Sequence, residues 1–267
     1  MEEARRLVPS GKVVVHCWRG GQRSASVAWL LDKAGLEVTR LEGGYKSARK
    51  FIRGFLGGSN HQFHVLSGPT GSGKTEVLQA LAGAGEYTLD LERLANHKGS
   101  SFGSLGEQPQ PTTEQFENDL FAALLTVPRG ARVWLEDESR MIGHVYLPDE
   151  FYNRLIAAPV VELHQPRQLR IQRLVRQYGG FPIESLAPAF TRLRKKLGGQ
   201  HLQEALAALQ VGDLPGAAAI ALVYYDKAYA HYKKRGGRSD VRTLTMVSSE
   251  PNEIAMQLLL LISSPTT

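Results

Sequence analysis

Gly68-Pro69-Thr70-Gly71-Ser72-Gly73-Lys74-Thr75 is the stretch that decides the fold. It fits G-x-x-x-x-G-K-[ST] and lies between an apolar run, Phe63 to Ser67, that reads as a strand and a helical pattern from Lys74 to Leu81. Glycines at Gly68, Gly71 and Gly73 let successive backbone N–H groups, Ser72 included, close around a phosphate, and the helix N-terminus adds partial positive charge. Lys74 reaches the terminal phosphates, and the Thr75 hydroxyl can ligate magnesium. A Gly-rich turn without a ligand is the bland alternative, and the strand–turn–helix context speaks against it. The motif leaves open which compound carries the phosphates, a nucleotide among them.

Downstream, Tyr87 to Leu89, Arg132 to Glu136, Val160 to Leu163 and Thr243 to Val247 read as further strands. Five strands alternating with helices imply an α/β fold: a P-loop NTPase-like parallel sheet covered on both faces. Between about 164 and 234 the pattern is nearly all helical, a helical insertion before the last strand. Arg132 to Glu136 is the best strand to carry the acidic partner of the phosphate loop. Either Glu136 or Asp137 fits that role beside the metal's water shell, and both also fit as plain caps of the strand end.

Upstream, Gly57-Gly58-Ser59-Asn60 reads as a linker, so the expected domains are residues 1–56 and 57–267. The first holds strand, helix, strand, helix: Lys12 to His16, Ser24 to Ala34, Glu37 to Leu41 and Tyr45 to about Phe55. Its first turn is His16-Cys17-Trp18-Arg19-Gly20-Gly21-Gln22-Arg23-Ser24, with five residues between the cysteine and Arg23. A loop between strand and helix presents backbone N–H groups to the sulfur, lowers its pKa and creates an oxyanion site that Arg23 completes. The alternative is a small buried hydrophobe; two glycines and an arginine placed to face one anion argue against it. Cys17 and Arg23 are therefore the candidate catalytic pair.

Composition narrows the classes. The 267 residues, 42% hydrophobic with 27 scattered glycines and one cysteine, exclude collagen, a disordered tail and a disulfide scaffold. The longest apolar run, Leu258 to Ile262, falls far short of the roughly 20 residues a membrane helix needs. With a free thiol and no targeting segment apparent, the expectation is a cytoplasmic protein that makes no membrane contact. The formal charge is +6, but Gln165 to Gln200 carries eight basic residues against the single acid Glu184. Such a band suggests a polyanionic partner. Arg167, Arg170, Arg173 and Arg176, recurring every third residue, are the candidate contacts to a nucleic acid; an ordinary solvated helix face is the alternative.

A cysteine loop, then Leu41-Glu42-Gly43-Gly44-Tyr45-Lys46, then a phosphate loop is an order of parts that resembles the bacterial tRNA 2-selenouridine synthase family, a rhodanese-like domain fused to a P-loop domain. Further matching stretches are Asp90-Leu91-Glu92, Ala95 to Gly103, Gln115 to Asn118, Glu136-Asp137-Glu138-Ser139 with Ile142-Gly143, and Tyr224 to Tyr229. The likeness runs from about Val13 to Tyr232. It implies S-geranylation of a wobble 2-thiouridine in tRNA from geranyl diphosphate, then replacement of the geranylthio group by selenium from selenophosphate. Cys17 would match the family's selenium-carrying cysteine through an S-selanyl intermediate, and Arg23 would hold the phosphate of selenophosphate. Geranyl diphosphate would occupy the Gly68 to Thr75 loop, which is also similar to that of the tRNA dimethylallyltransferases.

One departure concerns the N-terminal unit. A rhodanese-like domain is expected to place on the order of 80 residues before its cysteine, and sixteen precede Cys17. The resemblance thus implies a partial rhodanese-like unit, with a second chain as a candidate to complete it. The Cys17–Arg23 spacing is also wider by one residue than is usual in rhodaneses. Competing readings are a P-loop kinase or NTPase beside a decayed cysteine loop, a cysteine phosphatase, for which no general-acid aspartate stands near the loop, and a non-catalytic RNA-binding protein.

Overall fold

A computed structural model describes residues 2–236, 238, 240–246 and 248–263. The chain divides into two compact units, Met1–Gly58 and Ser59–Thr267.

The first unit contains α1 (Glu2–Leu7), β1 (Lys12–Val15), α2 (Gln22–Lys33), β2 (Glu37–Arg40) and α3 (Gly44–Gly58). β1 and β2 pair in parallel with Lys12 opposite Glu37 and Val15 opposite Arg40. A parallel pair needs a crossover, and α2 supplies it. α3 runs through Gly57 and Gly58, so these glycines close a helix, and the expected linker shrinks to Ser59 and Asn60.

The second unit is built on β3 (Gln62–Ser67), β4 (Tyr87–Leu89), β5 (Arg132–Glu136), β8 (Val160–His164) and β9 (Val241–Thr245). Among the described residues these form one five-stranded sheet in the order β4-β5-β3-β8-β9, with every pairing parallel. Strands buried on both faces read as continuous apolar runs; accordingly Val133, Trp134 and Leu135 of β5 and Val65 and Leu66 of β3 are fully buried. β9, at the edge, instead alternates between exposed and half-buried residues. It begins two residues before the expected Thr243, and Val247, the expected end, lies outside the described residues.

Helices cover the sheet. α4 (Lys74–Gly83) turns Val77, Leu78 and Leu81 inward, and α13 (Pro251–Ser263) adds Ile254, Ala255 and Leu258 to the same core with Trp134, Val161 and Leu163. α6 (Thr113–Leu125) buries Phe116, Leu120 and Leu124 at i, i+4, i+8, and its cap is Thr112, whose hydroxyl accepts from the Gln115 N–H at 3.2 Å. α5 (Leu91–Leu94), a two-stranded hairpin of β6 (Met141–Ile142) and β7 (Val145–Tyr146), and α7 (Asp149–Ala157) follow along the chain; Phe151 of α7 packs on Phe63, on the face of β3 opposite to that of Leu66. Between β8 and β9 come α8 (Arg167–Tyr178), α9 (Ile183–Arg192), α10 (Arg194–Leu197), α11 (Gly199–Gln210) and α12 (Leu214–Gly236). These helices carry a core of their own, with Leu186, Phe190, Leu202, Leu209 and Ala217 at its centre.

The strand order places β3 between β5 and β8, so the connections leave β3 and its neighbours toward opposite sides. In an open parallel sheet the crevice at the carboxyl ends of such strands is where ligands sit, and the loop after β3 is the phosphate loop. Leu78, 1% exposed, packs α4 against that sheet. Leu78→Ala is expected to cost about 2–5 kcal/mol, read as a lower urea midpoint with an unchanged slope for the unit spanning 59–267.

Candidate active site

The phosphate loop owes its shape to close approaches that side chains forbid. A Cβ at Gly68 would lie 2.6 Å from the Ser72 hydroxyl, and one at Gly73, where φ is +85°, would lie 2.8 Å from the Arg173 guanidinium carbon. Gly71 has φ +80° and would meet the Arg170 carbonyl at 3.1 Å. Only glycine adopts these angles without strain. The Ser72 hydroxyl is buried and has no hydrogen-bond partner among the described residues, and Lys74 Nζ donates to the Gly68 carbonyl at 3.3 Å. The residues expected to hold phosphate are thus gathered in one turn at the head of α4.

Carboxylates converge on this turn. Thr75 Oγ1 donates to Glu136 Oε1 at 3.1 Å and lies 3.4 Å from Glu92 Oε2, while the other Glu136 oxygen accepts from the Leu91 N–H at 3.1 Å. Burial, followed by repulsion from Glu92, drives the Glu136 carboxyl well above its ordinary value, against the pull of Lys74. Burial and Glu92 likewise push Glu138 up to about 8. The Glu92 and Glu138 carboxyls meet: burial raises both, and their mutual hydrogen bond raises Glu138 further while opposing the rise of Glu92. Gly99, at φ +64°, backs the pair: a Cβ there would come within 2.9 Å of Glu92 and 3.1 Å of Glu138. Of the two carboxylates expected near the loop, Glu136 is the one that bonds Thr75. Asp137 is committed elsewhere: it accepts from Ser67 at 2.7 Å and Tyr232 at 3.0 Å and pairs with Arg238.

Two of the four arginines expected on a nucleic-acid face are not on the surface. Arg170, 5% exposed, donates through Nε to the Thr70 carbonyl at 2.9 Å and pairs with Asp226 at 2.5 Å. Arg173, 8% exposed, donates to the Gly71 carbonyl at 2.8 Å, bonds Gln165, and faces Glu76 at 3.3 Å. The three-residue spacing sets them on one side of α8, but that side packs against the phosphate loop. They position the loop. Arg167 and Arg176 are exposed; Arg167 also donates to the Ala219 carbonyl at 2.7 Å.

A cavity of about 850 Å³ opens from the phosphate loop into the helical insertion. At one end it is lined by Gly68 to Thr75 with Glu92 and Glu138, and at the other by Leu186, Phe190, Leu209, Leu214, Ala217 and Ala221. That volume falls within the roughly 300–1,000 Å³ of small-molecule sites. Sequence reading missed Glu92, Glu138 and the α12 face as site residues. The signals were the Asp90-Leu91-Glu92 and Glu136-Asp137-Glu138-Ser139 stretches and the alanines of α12, which no local pattern assigns to a chamber.

In the N-terminal unit Cys17 lies in the turn after β1. The N-terminus of α3 pins that turn: Tyr45 N–H donates to the Cys17 carbonyl at 3.0 Å and Lys46 N–H to the Trp18 carbonyl at 2.9 Å. Gly44 makes the approach feasible, since a Cβ there would run into the Cys17 carbonyl oxygen. The Ser24 hydroxyl stands 3.3 Å from the sulfur and 3.0 Å from the Gly21 carbonyl, and its proton turns to the sulfur once a thiolate forms. Hydrogen bonds from Ser24, and behind it the Arg19 and Gly21 backbone, lower the thiol to about 6. Arg23 stands on the first turn of α2 with its side chain exposed.

The profile of the tRNA 2-selenouridine synthase AAA domain matches residues 61–185. The tRNA 2-selenouridine synthase of Shewanella piezotolerans is 39% identical over 211 residues, covering 71% of this chain and 56% of that protein. The chain belongs to the tRNA 2-selenouridine synthase family. A second member, from Nitrosomonas eutropha, is 37% identical over 172 residues, covering 62% of this chain and 44% of its own length. The chain therefore spans about half the length of the curated relatives it matches. A solved tRNA isopentenylpyrophosphate transferase from Bacillus halodurans covers 76% of this chain and 95% of its own at 10% identity and a TM-score of 0.39, a likeness too slight to bear on function.

The lowered thiol yields a direct measurement. Alkylation of Cys17 by iodoacetamide should rise with pH to a half-maximum near 6, and Ser24→Ala should move that midpoint upward toward the ordinary thiol range. A wild-type midpoint above about 8, close to that of a free thiol, would contradict the hydrogen-bonded loop.

Proposed function

We propose that this chain performs tRNA 2-selenouridine synthesis, with the phosphate loop serving a geranyl diphosphate donor and the cysteine loop serving selenophosphate. The observation that carries the reading is the cavity: a phosphate loop at one end and an apolar chamber at the other suit a diphosphate bearing a hydrocarbon tail. A nucleoside would bring a ribose and base, with many polar atoms, to the end lined by leucine, phenylalanine and the α12 alanines, where Tyr178, Tyr224 and Tyr225 supply only hydroxyls at their tips.

In the first step the sulfur of a wobble 2-thiouridine attacks C1 of the geranyl group. The S–C bond forms as the C–O bond breaks, pyrophosphate leaves, and the base loses its N3 proton. Charge builds on the leaving oxygens, which the loop amides and Lys74 would meet once Lys74 leaves the Gly68 carbonyl. Thr75 and Glu136 are the residues that would hold magnesium, whose charge would offset that of the leaving oxygens. Among the described residues no group of three or more acidic, histidine or cysteine side chains is arranged as a metal-ligand set. Thr75 with Glu136 suits an ion that keeps several waters and takes few protein oxygens.

In the second step the selenium of selenophosphate attacks C2 of the base, the C–S bond breaks and geranylthiol leaves, and water then cleaves the Se–P bond and releases phosphate. Cys17, a thiolate at neutral pH, and Arg23 on the first turn of α2 are the residues for this half. A second chain would complete the N-terminal unit. Exposed Arg167 and Arg176 would meet tRNA phosphates. No helix among the described residues is long and apolar enough to cross a membrane, and the cytoplasm, where tRNA resides, is the proposed location.

Lys74→Ala should abolish both geranylated and selenated nucleosides, since the first feeds the second, whereas Cys17→Ser should stop selenation alone and let geranylthiouridine accumulate. Mass spectrometry of wobble nucleosides reads both, and loss of geranylation in a folded Cys17→Ser protein would refute the division of labour. Rapid nucleotide hydrolysis without tRNA would favour a kinase or NTPase instead.

Charge reversal separates the arginines. Arg167→Glu with Arg176→Glu should weaken tRNA binding and reduce its log–log salt slope by about 2 while the thermal midpoint holds. Arg173→Glu should lower the midpoint itself. Unchanged tRNA affinity in the double variant would return α8 to an ordinary solvated face.

A further inference from the structure

α12 runs the length of the cavity with one face. Leu214, Ala217, Ala218, Ala221, Tyr225 and Tyr229 all line it, at the three- and four-residue spacing of a single helical side. The two ends of that face differ in chemistry. Tyr229 is fixed at the phosphate end, its hydroxyl 3.0 Å from that of Ser67, the residue before Gly68, and donating to Glu162 at 3.1 Å. Toward Leu214 the face turns to alanine, and these alanines sit inside the insertion's core: Ala217 is 1% exposed and Ala221 6%. A core of leucine and phenylalanine ordinarily closes to crystal-like density. Here three small side chains hold open a volume continuous with the phosphate loop.

We propose that α12 is a chain-length gauge for the prenyl donor, with Ala221 and then Ala217 as successive depth marks. The inference rests on the prenyl-donor reading above and adds what selects the length of the chain. At 1.5 Å per residue, Ala221 lies about 12 Å along the helix from Tyr229, Ala217 about 18 Å and Leu214 about 22 Å. An extended isoprene unit, four carbon–carbon bonds of about 1.5 Å, advances on the order of 5 Å. Two units from a diphosphate held in the loop bring the chain end beside Ala221. A third carries it toward Ala218 and Ala217.

The test uses the full chain, 2-thiouridine-bearing tRNA, and dimethylallyl, geranyl and farnesyl diphosphates, with inorganic pyrophosphate as a binding probe. Wild type should transfer all three groups. Ala221→Phe should lose geranyl and farnesyl transfer at least tenfold relative to dimethylallyl, and Ala217→Phe should lose farnesyl alone. Both should bind pyrophosphate as wild type does, which shows the loop intact. Should Ala221→Phe fail that check, Ala221→Val makes the same comparison with a smaller added volume. An unaltered preference among the three donors in variants that still bind pyrophosphate overturns the gauge. The underlying reading fails separately, if wild type transfers no prenyl group and binds geranyl diphosphate no more tightly than pyrophosphate.

Discussion

The clasp of Arg170 and Arg173 on the phosphate loop is the constraint on which the unit spanning 59–267 depends. A loop made mostly of glycine has almost no side chains with which to pack. When its amides turn toward a phosphate, carbonyls turn the other way and need donors of their own. Two buried guanidinium groups from α8 supply them at Thr70 and Gly71. Asp226, Glu76, Gln165 and the Ser249 carbonyl in turn hold those guanidiniums. Removing one partner from such a buried network costs about 3–5 kcal/mol, because a desolvated charge is left behind. The helical insertion is thereby fastened to the loop whose ligand it would enclose, and the chamber keeps its place relative to the phosphates.

The parts of this arrangement that obey local rules are legible in the sequence. The phosphate loop announces itself by residue type and spacing, and Arg132–Glu136 has the same bounds in sequence and structure, because a buried parallel strand is a short apolar run between turns; Tyr87–Leu89 keeps its bounds as well, though it lies at the sheet edge. The bounds of β9 are harder to read. At a sheet edge Val241 to Thr245 carries a weaker apolar signal than a central strand. Gly57 and Gly58 look like a break, yet the end of a helix tolerates glycine well.

The site is legible only where its chemistry is local. Counting charges finds the basic band but gives no direction to it: Arg170 and Arg173 share spacing with Arg167 and Arg176, and only packing shows that the first pair faces inward. Glu92 and Glu138 come from separate connections after β4 and β5 and meet across the fold. Nothing in either segment tells that burial raises the proton affinity of both carboxyls. The alanines of α12 are silent for a similar reason, since a small residue reports the space beside it only once its neighbours are placed.

The pinned cysteine turn has a consequence outside the reaction itself. Gly44 leaves no room for a side chain against the Cys17 carbonyl, so the surrounding amides stay aimed at the sulfur whether or not a substrate is present. A half-exposed sulfur that is anionic at neutral pH is also the one peroxide finds first. These 267 residues hold no other cysteine, so a sulfenic acid formed at Cys17 has no neighbour in this sequence with which to close a disulfide. Its repair falls to a thiol from outside, and delay would let it pass to the irreversible sulfinic state.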